Sequence, residues 1–290
     1  MTENANPGQA QPKKWWQRPI TWIMTIVVGA VGAYATNALV SGLESVAPTD
    51  DLVAQMMGTD AFKIHSLKRL HDTNSGGREG YVVPANADVA PVLEGSDERG
   101  FNAWTEANNA VDLGFSAWEM TIEGTRESTA EIVNIVPVLE APCGAPLGGG
   151  LFLDGGQGAV EKVTLLADFN AAQPVMSRPA GPGIERIPNF FATHKITLPR
   201  NEKNTLVLRA KVTGKHCKFR YRIEYLADGK QSEFMLGRPD GRPFEISGYL
   251  GDLTQYSWAR LGVGCRGGDP ARKLQGEELA VASKTCSLAP

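Results

Sequence analysis

The stretch Lys218-Phe-Arg-Tyr-Arg-Ile-Glu-Tyr-Leu226 sets Phe219, Tyr221, Ile223 and Tyr225 against Lys218, Arg220, Arg222 and Glu224. Successive side chains of an extended chain point to opposite faces, so this segment has one apolar and one ionic face. It predicts a half-buried β-strand. Upstream, Leu206, Leu208, Ala210 and Val212 repeat the period, and Thr213-Gly214-Lys215-His216 reads as a hairpin tip joining the two. Downstream, Asp228-Gly229 and Asp240-Gly241 are turn signals, the second closing on Phe244-Glu245-Ile246.

Further out the same alternation recurs. Trp118, Met120 and Ile122 oppose Glu119 and Thr121; Val163, Leu165, Ala167 and Phe169 form another stripe, as do Ala192, His194, Ile196 and Leu198. Ile132 to Leu139 is almost continuously apolar and β-branched, as a strand buried on both faces would be. Ala61 to Leu70 fits a strand or a short amphipathic helix. We take the strand, because Tyr81-Val82-Val83 follows a turn-rich stretch and completes a first hairpin. Residues 85–100 read as a polar connector, and Gly148 to Gly158 as a flexible turn with Asp154-Gly155 at its apex. Many short strands without long helical periods predict a mainly β protein with an antiparallel β-sandwich over 61–264. Residues 251–264 pack against it. A polar tail at 265–290 contains a short helical stretch, Lys273 to Ala282, interrupted by Gly276.

The chain has 290 residues, 42% hydrophobic and 21% charged, enough for a sizeable core in one or two domains. With 29 basic and 32 acidic side chains, its balance argues against a dedicated nucleic-acid binder.

Ile20 to Val40 carries no charged residue, and about 20 helical residues cross a hydrocarbon slab of about 30 Å. Trp15, Trp16 and Trp22 stand with Lys13, Lys14 and Arg18 at one end; Glu44, Asp50 and Asp51 lie beyond the other. That asymmetry predicts a cytoplasmic tail at 1–18, a transmembrane helix at 19–41 contacting the lipid bilayer through 20–40, and an extracytoplasmic remainder beginning with a spacer at 42–60. The competing reading is a cleaved signal peptide, for Ala33-Tyr-Ala35 resembles a cleavage site.

All four cysteines, Cys143, Cys217, Cys265 and Cys286, fall on the side assigned to the oxidising compartment. Three pairings exist; Cys265 with Cys286 would tie down the tail, leaving Cys143 with Cys217 to cross-link strands. No Cys-x-x-Cys or His-x-x-x-His spacing suggests a metal, and no cofactor motif occurs. The glycine run lacks the Lys-Ser/Thr ending of a phosphate loop, and His65, His71, His194 and His216 have no nucleophile elbow beside them. Between Arg200 and Arg242, eleven basic residues oppose five acidic ones. If the two central strands pair, Arg209, Lys211, Lys218, Arg220 and Arg222 share a face suited to an anionic envelope polymer or lipid headgroups. A solvated face whose lysines discourage edge aggregation is the plainer reading.

Trp104, the strand ending at Gly124, the apolar strand to Leu139, Cys143 with the glycine segment, Leu165 to Phe169, CKFRYRIEYLADGK from Cys217 and DGRPFEI from Asp240 come in a familiar order. In these features the chain resembles actinobacterial single-pass membrane proteins of uncharacterised function, over roughly residues 15–250. Those relatives usually carry Trp shortly after the cysteine, where Phe219 stands here. The resemblance implies an envelope location and a β-rich ectodomain, and supplies no catalytic residues. The expectation is therefore a membrane-tethered extracytoplasmic binding or interaction module, its partner an envelope protein or anionic envelope polymer. The alternative is an extracytoplasmic hydrolase acting on envelope material.

Overall fold

Alternation on β11 (His216–Ala227) organises the molecule: Cys217, Phe219, Tyr221 and Ile223 are each no more than 1% exposed, and the residues between them reach solvent. In this computed structural model the described residues are 59, 61–70, 79–93, 98–154, 162–181, 184–262 and 272–286. They lie within the compact unit Asp50–Pro290. The predicted membrane segment at 20–40 and the tail before it lie outside them, as does nearly all of the spacer. Among the described residues no helix is long and apolar enough to cross a membrane.

The fold is mainly β, in two mixed sheets. One has five strands in the order β1 (Phe62–Arg69), β4 (Phe115–Gly124), β10 (Lys203–Lys211), β7 (Val163–Asp168) and β8 (Met176–Ser177). The other runs β15 (Lys273–Leu274), β14 (Trp258–Leu261), β6 (Gly150–Asp154), β2 (Glu79–Val83), β3 (Val111–Leu113), β13 (Phe244–Ser247), β11, β5 (Ala130–Leu139) and β9 (Ile196–Leu198), with β12 (Lys230–Leu236) also on β11. Among the described residues three short α-helices, α1 (Ala90–Leu93), α2 (Glu98–Ala107) and α3 (Glu277–Ser283), accompany them.

Both sheets feed one core. Trp118, Met120 and Ile122 of β4, Leu206 and Leu208 of β10 and Leu165 of β7 join Phe219, Tyr221 and Ile223 of β11 in a single buried cluster. Burying each large side chain contributes about 1.5–3 kcal/mol. The rings interlock: Phe169 meets Phe219 at 4.6 Å and Trp118 meets Phe244 edge-on at 5.2 Å. The far part of the larger sheet is covered on both faces. Val82, Leu151 and Leu153 pack with Leu279 of α3, whereas Tyr81, Val83, Phe152 and Trp258 pack with Trp104 of α2.

Several expectations are corrected. The sheets are not purely antiparallel: β7 with β10, β3 with β13 and β6 with β14 run parallel. The stretch from Gly148 is no flexible turn throughout, since Leu151, Phe152 and Leu153 are at most 1% exposed on β6. A continuous apolar triplet is what a strand covered on both faces requires. The first hairpin does not form, because β1 pairs with β4 and β2 with β3 and β6. The polar connector contains α1 and the first three residues of α2, whose Trp104 further on is buried and donates its indole N–H to the Asp88 carbonyl at 2.6 Å. The stripe at 192–198 is a strand only over Ile196–Leu198, preceded by a 3₁₀ turn at Phe190–Ala192.

Most consequentially, β10 and β11 are not neighbours. The segment Thr213 to Lys215 crosses from one sheet to the other. Two strands with apolar stripes satisfy burial equally well side by side or face to face across a core, so alternation alone does not choose. The Asp228-Gly229 hairpin does form: both residues have positive φ, 51° and 71°, the geometry of a two-residue turn, and join β11 to β12. In the expected tail, α3 starts after Gly276, and Leu274, Leu279 and Cys286 are buried.

Cys143 and Cys217 form a disulfide with Cα atoms 4.5 Å apart. It fastens the loop after β5 to β11, beside a two-way backbone pairing of Gly144 with His216 at 2.9 and 3.0 Å. Cys286 is disulfide-bonded. Cys265 lies outside the described residues.

Candidate functional site: a cationic cleft

β12 and β13 lie on the same side of β11, β12 on its C-terminal half and β13 on its N-terminal end. The chain between them, Gly237 to Pro243, closes on itself: the Arg238 N–H donates to the Arg242 carbonyl at 2.8 Å, and Gly241, at φ 78°, donates to the Arg238 carbonyl at 2.9 Å. Arg238 and Arg242 thus stand at the two feet of one turn. Both guanidinium groups reach the same two carboxylates, Glu106 of α2 and Asp240 at the apex. Arg242 Nη2 lies 3.5 Å from Glu106 and 2.5 Å from Asp240; Arg238 Nη2 lies 3.3 Å from Asp240 and also pairs with Glu106.

The turn edges a cleft of about 410 Å³. Its apolar wall is Val82, Val83, Pro84, Val111, Leu147 and Pro243. Lys218, Arg238, Arg242, Glu245 and Asn109 supply the polar side. Leu147 is positioned by its N–H, which donates to Ser247 Oγ at 2.9 Å, and by the Cys143–Cys217 bond a few residues upstream. Glu245 is held by two partners, His216 at 2.6 Å and Lys218 at 3.3 Å. Asn109, at φ 50°, accepts from Arg242.

Behind the cleft the charges continue inward. Arg238 is 6% exposed, and its guanidinium lies over the Trp118 ring at 5.9 Å. On the same indole sits Arg69, at 5.6 Å, which is also over Tyr81 at 5.4 Å and faces Asp112 at 3.2 Å. Asp112 in turn accepts from Ser116 Oγ at 2.5 Å. Burial lowers the Arg238 pKa, aided by the nearby Arg69 and Arg242 cations and opposed by Glu106 and Asp240. For Arg69 burial acts the same way, but Asp112, Tyr81, Glu106 and Asp240 outweigh it and the pKa is raised. Among the described residues Arg238 Nε and Arg69 Nη1 have no hydrogen-bond partner, and Arg69 Nε has only its ion pair with Asp112. Buried guanidinium hydrogens seldom stay unmatched, since each costs the desolvation of its group.

The expected basic face is divided. Arg209 and Lys211 are on β10 of the five-stranded sheet, while Lys218, Arg220 and Arg222 are on β11 of the other. Lys211 pairs with Asp168 at 2.9 Å, Arg220 with Glu140 at 3.0 Å, and Arg222 with Glu224 at 3.0 Å. Only Lys218 belongs to the cleft. Among the described residues no group of His, Cys, Asp and Glu could hold a metal ion. No known family model, curated protein or solved structure matches this chain. The site must be read from its own chemistry.

Sequence reasoning missed Arg69, Glu106 and Asp112 and placed Arg238 and Arg242 only in a regional count. A usable signal was the Arg-Pro-Asp-Gly-Arg spacing: a tight turn with an arginine at either foot brings two guanidinium groups together.

Proposed function

We propose that this chain is a membrane-tethered extracytoplasmic binding module: a cytoplasmic stub, one spanning helix at 19–41, and a disulfide-fastened β-sandwich that uses the cationic cleft to recognise a component of the cell envelope. The reading draws on the uncharged run near the start with its one-sided Lys/Arg flank, and on the resemblance to actinobacterial single-pass proteins. A disulfide between Cys143 and Cys217 fits an oxidising compartment.

The observation that carries binding over hydrolysis is the make-up of the cleft. Its described lining offers three cations and an apolar wall, and its one carboxylate, Glu245, is already engaged by His216 and Lys218. General acid–base hydrolysis needs a nucleophile or water held by an available base, and recognition needs only matched charge and shape. The test is a C-terminal alkaline phosphatase fusion with parallel envelope pull-downs on the full-length protein. Phosphatase activity, membrane retention and capture of envelope material that Arg242→Gln weakens are expected. A cytosolic carboxyl end, or capture indifferent to the cleft, overturns the reading.

A further inference from the structure

Glu106 shows what the cleft accepts. It is a side chain from another element, 44% exposed, whose carboxylate is shared between Arg238 and Arg242. Two guanidinium groups fixed by one closed turn form a fork that matches the spread lone pairs of an oxyanion. Glu106 fills that fork from the solvent-exposed rim, whereas Asp240 is bound into the turn itself by the Arg242 N–H at 3.0 Å. Beyond the fork, the solvent-reaching Pro84, Leu147 and Pro243, with Val111, give an apolar lining, and Lys218 lines the same cleft. Arg238, 6% exposed, keeps its Nε without a hydrogen-bond partner among the described residues.

We propose that this cleft binds an amphiphilic anion, a carboxylate or phosphate monoester carried on a short aliphatic body, whose oxygens replace those of Glu106 between Arg238 and Arg242. The proposal rests on the binding-module reading and names its ligand class. Glu106 is then a built-in competitor that keeps the fork neutralised when no ligand is bound. The aliphatic body lies on the apolar lining of Pro84, Leu147 and Pro243, so charge and apolar contact are both needed.

Calorimetric titration of the full-length protein in zwitterionic nanodiscs, at low salt, with hexanoate, butyl phosphate and hexanol tests it. Glu106→Gln removes the competitor and is expected to tighten anion binding about tenfold. Arg242→Gln removes a charge-assisted contact and is expected to weaken binding about tenfold or more. Hexanol is expected to bind neither form measurably. Tighter binding of butyl phosphate than of hexanoate assigns the phosphate monoester, and the reverse assigns the carboxylate. Unchanged affinity in Glu106→Gln, full affinity in Arg242→Gln, or hexanol binding equal to hexanoate overturns the proposal. Because Glu106→Gln predicts a gain, misfolding does not imitate the expected result. If envelope capture by the full-length protein persists while neither anion binds any form, the ligand class is wrong and the binding-module reading stands.

Discussion

Arg69 Nε and Asp112 Oδ1 face each other at 3.2 Å across the two sheets, the arginine ending β1 and the aspartate central in β3. Both side chains are 6% exposed, so solvent screens the pair little.

Removing one partner strands the other. Asp112→Ala is expected to cost about 3–5 kcal/mol, because Arg69 would remain buried with its charge uncompensated. Arg69→Met with Asp112→Leu is expected to cost clearly less than the sum of the single replacements. Urea unfolding of the four proteins checks this; additive losses would show that the pair does not act as a unit.

Reduction should loosen the fold. Cys143 and Cys217 are 74 residues apart, and a closed loop of that size gives about 4 kcal/mol by the chain-entropy relation. Cys143→Ser with Cys217→Ser is expected to lower the unfolding midpoint, and peptide mapping without reductant is expected to find Cys265 joined to Cys286. Free thiols in protein isolated from intact cells would contradict the oxidising location.

Acid should destabilise the fold. Burial opposes ionisation of Glu123, yet hydrogen bonds from Lys63 and His65 hold its pKa lowered. Asp228 is lowered by Ser128 and then by Arg126, and Asp252 by the Thr254 N–H and hydroxyl. A carboxylate whose folded value lies below its unfolded one stabilises the fold above the unfolded value, about 4, and that stability is lost as pH falls through the folded value. Stability is expected to change little from these groups between about pH 7 and 5, and to drop below about 4. Glu123→Gln should flatten part of that drop. Unfolding followed across pH would refute this if stability rose on acidification below about 4.

Gly150 should not tolerate a side chain. A Cβ there would overlap the Trp258 indole, itself 1% exposed and donating its Nε1–H to the Ala85 carbonyl at 2.8 Å. Gly150→Ala is expected to cost about 1–3 kcal/mol or more. A thermal melt equal to that of the parent would show that the indole moves aside cheaply.

The mainly β character was legible because period-two stripes such as Trp118, Met120 and Ile122 or Phe219, Tyr221 and Ile223 survive in the fold, all at most 4% exposed. Where the period slips, the reading slipped with it. A bulge at His65 moves the inward set of β1 from Phe62 and Ile64 to Leu67, and one at Val133 moves that of β5 from Ile132 to Ile135. The continuous apolar run on β5 therefore reflects a change of phase, with Val133, Val136 and Val138 half-exposed. An inserted residue leaves no mark in composition. Strand partners were less legible still, since pairing of residues as far apart in sequence as Phe62 and Gly124 depends on the whole core. The cleft was hidden for the same reason: Glu106, Arg238 and Lys218 come together only once β11 receives β12 and β13 end to end.

That end-to-end arrangement has an evolutionary corollary. The seven residues from Gly237 to Pro243 interrupt the ladder on one side of β11, and the long pairing with β5 on the other side continues past the interruption. Insertions or exchanges in that interval would reshape the rim while the scaffold kept its pairing. Divergent descendants could thus acquire new selectivity by editing one short interval, much as an exchangeable tool head leaves its handle unchanged.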